Sequence, residues 1–157
     1  MEKKYNIRPI RVEDYSTLIE WWESYEHVDV PSSDILPNGG LGGLVIEIDG
    51  KMIAAAYVYL TNSAMGYIDF LVSDPSYKSP SKYKMLLELM EACTALALHQ
   101  GCRIVWAMTT YQIMADIASE MGHDVLDDKH MIIYTHQLTD KKLKQKQYGK
   151  KKKTLEQ

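Results

Sequence analysis

The sequence predicts an α+β protein built on a mixed sheet, and three observations carry that prediction. Leu44–Ile48 and Lys51–Leu60 are runs of strand formers joined by Asp49-Gly50, a dipeptide suited to a type I′ hairpin turn. Tyr67–Val72 is a further strand, followed by turn residues and a long helical pattern to Gln100, as a crossover between parallel strands requires. The whole order reads β, α, loop, β, β, β, α, β, α, β, which gives an antiparallel meander of three strands and then a βαβ unit.

Taken in order, Tyr5–Ile10 is the first strand. Val12, Glu13 and Asp14 open a helix to about Ser24, with Leu18, Ile19 and Trp22 on one side and Trp21, Trp22 and Tyr25 as an aromatic end. Trp22 is expected in the core. Glu26–Gly43 contains Pro31, Pro37, Asn38 and four glycines, which forbid a regular element. Gly39–Gly43 follows no strand and precedes no Gly-Lys-Ser/Thr, so it is not a P-loop. A mobile loop over a site, or a plain linker, suits its composition.

After the hairpin, Thr61–Ser63 turns the chain into the central strand, Met65–Val72. Ser73–Lys78 is turn chemistry, and Ser79 and Pro80 read as the N-cap and first residue of the long helix. Within it Leu86, Met90, Cys93 and Ala97 recur at three- and four-residue spacing, and Gly101 closes it. Arg103–Met108 is a short apolar strand. Tyr111–Met121 is a helix with Ile113, Met114, Ile117 and Met121 inward, closed by Gly122, and Met131–Thr135 is the last strand.

At 157 residues, 46% hydrophobic and 25% charged, the chain has the composition of one globular domain able to bury a core. No apolar run reaches the ~20 residues of a membrane helix and Met1–Tyr5 is not a signal peptide, so no membrane partner is expected. Cys93 and Cys102 lack a redox or metal motif and read as reduced, structural thiols in a cytoplasmic setting. His130 and His136 are about 20 Å apart along a strand, too far to share an ion, and no metal site is expected. The net charge of −3 conceals a division. Residues 141–157 hold eight lysines and one acid, a charge of +7, whereas the preceding 140 residues carry −10. The expected organisation is a folded domain over residues 1–138 and a lysine-rich tail over 139–157. The tail is either a solubilising end or a contact for nucleic acid through Lys141–Lys153.

The junction between the central strand and the long helix is the candidate binding site. The first N–H groups of a helix lack partners and lie at the positive end of its dipole, which suits a phosphate. Lys78, Lys82 and Lys84 add charge there. The same residues also suit a βα unit with a solvated basic loop.

Ile7–Asp14, the Ile46–Val58 hairpin, Asp74–Lys78 and Met121-Gly122-His123, in this element order, resemble the GNAT superfamily of acyl-CoA N-acyltransferases over roughly residues 5–137. The resemblance implies a mixed, mostly antiparallel sheet with helices on both faces. It implies a central strand that splays from its neighbour, with the pantetheine of acetyl-CoA pairing into the gap. The loop and helix start beyond would hold the pyrophosphate through Arg or Gln, two residues, Gly, one residue, and Gly or Ala. Lys78-Ser79-Pro80-Ser81-Lys82-Tyr83 occupies that pattern, with Ser81 and Tyr83 where small residues are usual. The implied cofactor contacts are Leu71, Val72, Ser73, Lys78, Ser79, Ser81, Lys82, Tyr83 and Tyr111, the last in the place of an Asn. Ala118 stands at the position of a frequent Tyr general acid.

Two functional readings follow. In the first the chain moves an acetyl group from acetyl-CoA to a small amine or a protein amine. Asp69 on the central strand is then the general base, with Glu47 on the neighbouring strand as a second candidate. Backbone N–H groups around Leu71–Ser73 would hold the carbonyl oxygen. Tyr134 on the last strand is a candidate acid whose spacing from His130 and His136 also suits packing. In the second reading the fold persists without turnover, as a structural or binding protein that joins an assembly through its tail. Val72-Ser73-Asp74 and the lysine-dotted helix start are similar to GNAT-like proteins of phage virion cores, which makes a virion the matching setting. Pairing of copies through sheet edges is expected of either.

Overall fold

A computed structural model describes residues 5–26, 28–108 and 112–125, and the backbone of 133–136. Its strands are β1 Tyr5–Pro9, β2 Gly43–Ile48, β3 Lys51–Leu60, β4 Met65–Ser73, β5 Ile104–Ala107, β6 Asp124–Val125 and β7 Ile133–His136. Its helices are α1 Tyr15–Ser24, α2 Lys82–His99 and α3 Gln112–Met121. The strands make one sheet in the order β1-β2-β3-β4-β5-β7-β6. β4 and β5 are parallel and joined by α2, while the other neighbours are antiparallel. This is the α+β architecture expected, meander first and crossover second. The two-residue strand β6 carries no strand pattern in the sequence.

The hairpin turn is as its dipeptide requires, with φ of 49° at Asp49 and 78° at Gly50. Along β3 the side chains alternate between two cores. Ala55 and Tyr57 meet Leu18, Trp21 and Trp22 of α1 on one face. Ala54, Ala56 and Val58 meet Leu89, Cys93 and Ile117 of α2 and α3 on the other. Helices therefore cover both faces. Trp22 is 1% exposed, stacked on Tyr57 with Phe70 at its edge.

At the start of α1, Arg8 of β1 bonds both oxygens of Asp14, at 2.6 and 3.0 Å, and Oε1 of Glu47 at 2.6 Å. Burial pushes the Asp14 carboxyl up. The Arg8 guanidinium and the Arg11 N–H outweigh it and hold the group below the ordinary carboxylate range. This cluster sets where α1 begins, and so where its aromatic end arrives.

Two expectations need correction. The long helix starts at Lys82, not at Pro80, and its N-cap residue is Ser81. The Ser79 hydroxyl accepts the Ser81 N–H at 3.3 Å, and Lys82 N–H reaches the Ser79 carbonyl at 3.0 Å. These local bonds wind one extra turn before the helix. The glycine-rich segment is a fastened rim instead of a linker or a mobile loop. Tyr15, Tyr57 and Tyr59 donate their hydroxyls to the carbonyls of Pro31, Gly40 and Ile35 at 2.8, 3.0 and 2.9 Å. Tyrosines spaced along a helix and a strand leave no local signal of that role. Met131, Ile132, Tyr111 and the tail from residue 139 lie outside the described residues.

Candidate functional site

β4 pairs with β5 over Met65–Tyr67 alone, in register with Ile104–Trp106. From Ile68 onward no strand among the described residues pairs with β4 on that side, so its backbone edge opens towards α2. A cleft of ≈ 520 Å³ fills the divergence. Leu71, Val72 and Ser73 of β4 form one wall, and Ser79, Pro80, Lys82 and Tyr83 of the α2 start form another. Trp22 and Tyr25 close it from α1, and Ile113 and Met114 from α3.

A bulge in β4 shapes the inner wall. Tyr57 pairs with Asp69 and Ala55 with Val72, so two residues of β4 face one of β3. Phe70 takes a φ of 52° to accommodate the extra residue, a left-handed conformation that costs a side-chain-bearing residue about 1–2 kcal/mol. The bulge reverses the alternation: Asp69, opposite Tyr57, and Phe70 share the α1 face, while Leu71 turns to the α2 side. Asp69 is held in place by the Tyr67 hydroxyl on Oδ2 at 2.6 Å and by the Phe70 N–H on Oδ1 at 2.7 Å. Burial and then the Asp69 carboxylate push the Tyr67 phenol far above its usual range.

The loop from β4 to α2 is fixed by Asp74, which is 6% exposed. It accepts the Ser76 N–H at 2.8 Å and the Ser76 hydroxyl at 2.6 Å, and Lys51 lies 3.4 Å away. Tyr25 donates to the Ser73 carbonyl at 2.8 Å and so ties α1 to the end of β4. Burial, followed by the charge of Lys78, pushes the Lys82 ammonium below its usual value. A positive group short of water at the mouth of a cleft is matched by an anion. Tyr83 reaches across to α3, its hydroxyl donating to Glu120 Oε2 at 2.7 Å.

The expected site residues divide accordingly. Leu71, Val72, Ser73, Ser79, Lys82 and Tyr83 are gathered around the cleft. Lys78 is exposed and acts there through its charge on Lys82. The Ser81 hydroxyl lies between those of Tyr77 and Ser79, at 3.0 and 2.9 Å. Glu47 is not on the strand beside β4: β3 intervenes, and Glu47 is paired with Arg8. Its strand partner Met52 is five residues along β3 from Tyr57, the partner of Asp69, about 16 Å of strand, and β3 adds its own width. The backbone of Tyr134 is in register with Trp106. Ala118 is buried in the α2–α3 core. Trp22, Tyr25, Ile113 and Met114 were not expected at the site. The Trp21-Trp22 and Tyr25 cluster is the trace of the first two in the sequence. Among the described residues no three His, Cys, Asp or Glu side chains are grouped to hold a metal, and no helix is long and apolar enough to cross a membrane.

A sheet that splays beyond a bulged central strand, with a helix start facing the gap, is the GNAT fold. Solved structures agree. The chain superposes on Ard1 from Thermoplasma volcanium with a TM-score of 0.68 at 12% identity, covering 86% of this chain and 99% of that one. The ribosomal-protein-S18-alanine N-acetyltransferase of Escherichia coli gives 0.66 at 12% identity, covering 87% and 97%. N-acetylglutamate synthase from Neisseria gonorrhoeae, complexed with coenzyme A and L-arginine, gives 0.62 at 15% identity over 88% of this chain. The chain spans 34% of that larger protein. No protein-family model and no curated protein sequence matches the chain.

Proposed function

We propose that the chain is an N-acyltransferase that moves an acetyl group from acetyl-CoA to an amine. The observation that carries this reading is the cleft, which joins a strand edge left unpaired among the described residues, a cationic helix start and, one bulge away, a fixed carboxylate. The backbone of β4 beyond Tyr67 offers N–H and C=O groups to an extended amide-bearing arm, as in strand addition. Lys82 and the first N–H groups of α2 suit the phosphates. Asp69 accepts the proton that the incoming ammonium must lose, directly or through water. The freed amine then forms its C–N bond at the thioester carbonyl, whose oxygen is held by backbone N–H groups near Leu71, and the C–S bond breaks, the second proton on nitrogen passing to the departing thiolate. A thiol of pKa about 8.5 leaves readily as thiolate, so Ala118 at the usual acid position is compatible with turnover. Cys93 and Cys102 are free thiols, which supports a cytoplasmic setting.

Calorimetry on the full chain tests this. Acetyl-CoA should bind in the micromolar range, and Lys82→Met should weaken binding 10- to 100-fold. Asp69→Asn should leave that affinity in place and lower kcat by about 100-fold or more. No heat of binding at millimolar acetyl-CoA sinks the reading. A binding role without turnover is the second reading, favoured by Ser81 and Tyr83 in place of glycines and by Ala118. It requires any salt-sensitive retention on DNA to disappear when residues 141–157 are removed.

A further inference from the structure

The α1 face of the sheet carries a continuous run of rings, Trp106, Tyr67, Tyr59, Phe70 and Trp22, with successive centroids 4.5, 5.7, 6.5 and 6.4 Å apart. Trp22 is buried, but the other four rings are only half-buried, so aromatic surface is left open to solvent. The rim beside it is apolar: Tyr59 holds the Ile35 carbonyl at 2.9 Å, and the Ile35 residue is 53% exposed. Asp69 lies within this run. Its oxygens take the Tyr67 hydroxyl and the Phe70 N–H, and among the described residues no lysine or arginine pairs with it. An uncompensated carboxylate set among half-open rings favours a cation carried on an apolar body.

We propose that this patch is the acceptor site and selects an arylalkylamine, a primary amine on a flat aromatic group. The turnover half of this inference rests on the acyltransferase reading, while the binding half stands without it. The ammonium meets Asp69, and the aryl group lies on Tyr67 and Trp106. Leu71, on the cleft wall, follows Asp69 by two residues across the bulge, which brings the nitrogen to the cleft mouth. A polyamine needs further acids at its own spacing. An amino acid brings a carboxylate that Asp69 repels.

The test is titration of the full chain with phenethylamine, 2-cyclohexylethylamine, spermidine and glutamate, followed by tryptophan fluorescence and calorimetry without acetyl-CoA. Phenethylamine should bind at least 10-fold more tightly than each of the others. Trp106→Ala should remove that margin and leave acetyl-CoA affinity unchanged. Trp106→Leu, which preserves bulk, should do the same if the alanine variant fails to fold, whereas Tyr67→Phe should keep the preference. Equal affinity for spermidine, glutamate or the cyclohexyl amine overturns the proposal, and acetyl-CoA binding in that case leaves the acyltransferase reading standing. Selective phenethylamine binding without any acetyl-CoA binding sinks the acyltransferase reading and keeps the amine site.

Discussion

Replacing Arg8 by methionine removes the cation that two carboxylates share. The Arg8 and Asp14 side chains are 11% and 6% exposed, and Glu47 is 14% exposed. Their charges would therefore be left with little water. Breaking a buried ion pair from one side costs about 3–5 kcal/mol. At roughly 2–4 °C per kcal/mol for a chain of this size, the melting temperature at pH 7 should fall by ~6–20 °C. The pH dependence follows from Asp14. Its carboxyl is held below the ordinary value of 3.8 in the folded protein. It thus contributes stability that is fully present above the unfolded pKa and is lost as pH falls through the folded one. In the variant desolvation, the largest influence on Asp14, is opposed only by the Arg11 N–H and charge, so the Asp14 pKa rises and acid relieves the orphaned charge. Thermal melts of both proteins should converge between pH 7 and pH 3.5, and Arg8→Met with Asp14→Asn and Glu47→Gln should recover much of the loss. A loss below 1 kcal/mol, or a gap that stays constant with pH, would refute the reasoning.

Two further outcomes are expected. A Cβ at Gly66 would lie 2.9 Å from Cys102 Sγ and 3.4 Å from the Tyr59 carbonyl. Gly66→Ala should therefore destabilise by about 1–3 kcal/mol through overpacking, and adding Cys102→Ala should restore part of it in a denaturant titration. Independent losses that simply add would count against the contact. Burial and Lys78 lower the Lys82 pKa from 10.5, so Lys82 loses its proton at lower pH than an ordinary lysine. Acetyl-CoA affinity should decline in the alkaline range below 10.5 as Lys82 neutralises, and Lys82→Arg should remove that decline, because a guanidinium stays charged. Calorimetry from pH 7 to 10 decides between a fall and a flat profile.

Local chemistry made several parts of this protein legible in advance. The Asp49-Gly50 turn, the inward stripe Leu86, Met90, Cys93 and Ala97, and Gly101 at a φ of 96° each depend on residues within a few positions of one another. The element order then left one topology, meander and crossover, and the candidate site at the β4–α2 junction coincides with a cleft. The start of α2 was misplaced by two residues because Ser79 and Ser81 bond each other as well as the backbone, a choice that composition does not encode.

What the sequence by itself determined is the list of elements, their order and the residues at the strand-to-helix turn, since periodicity and turn chemistry are short-range. What only the tertiary structure decided is which side chains meet. The bulge at Phe70 exists because β3 and β4 pair out of step, and it alone turns Asp69 and Phe70 to the same face. Glu47 is engaged by Arg8 from another strand, and Trp22, Tyr59, Tyr67 and Trp106 form one aromatic surface from four separate elements. Such contacts arise from the register and splay of strands far apart in the chain, which no local pattern specifies.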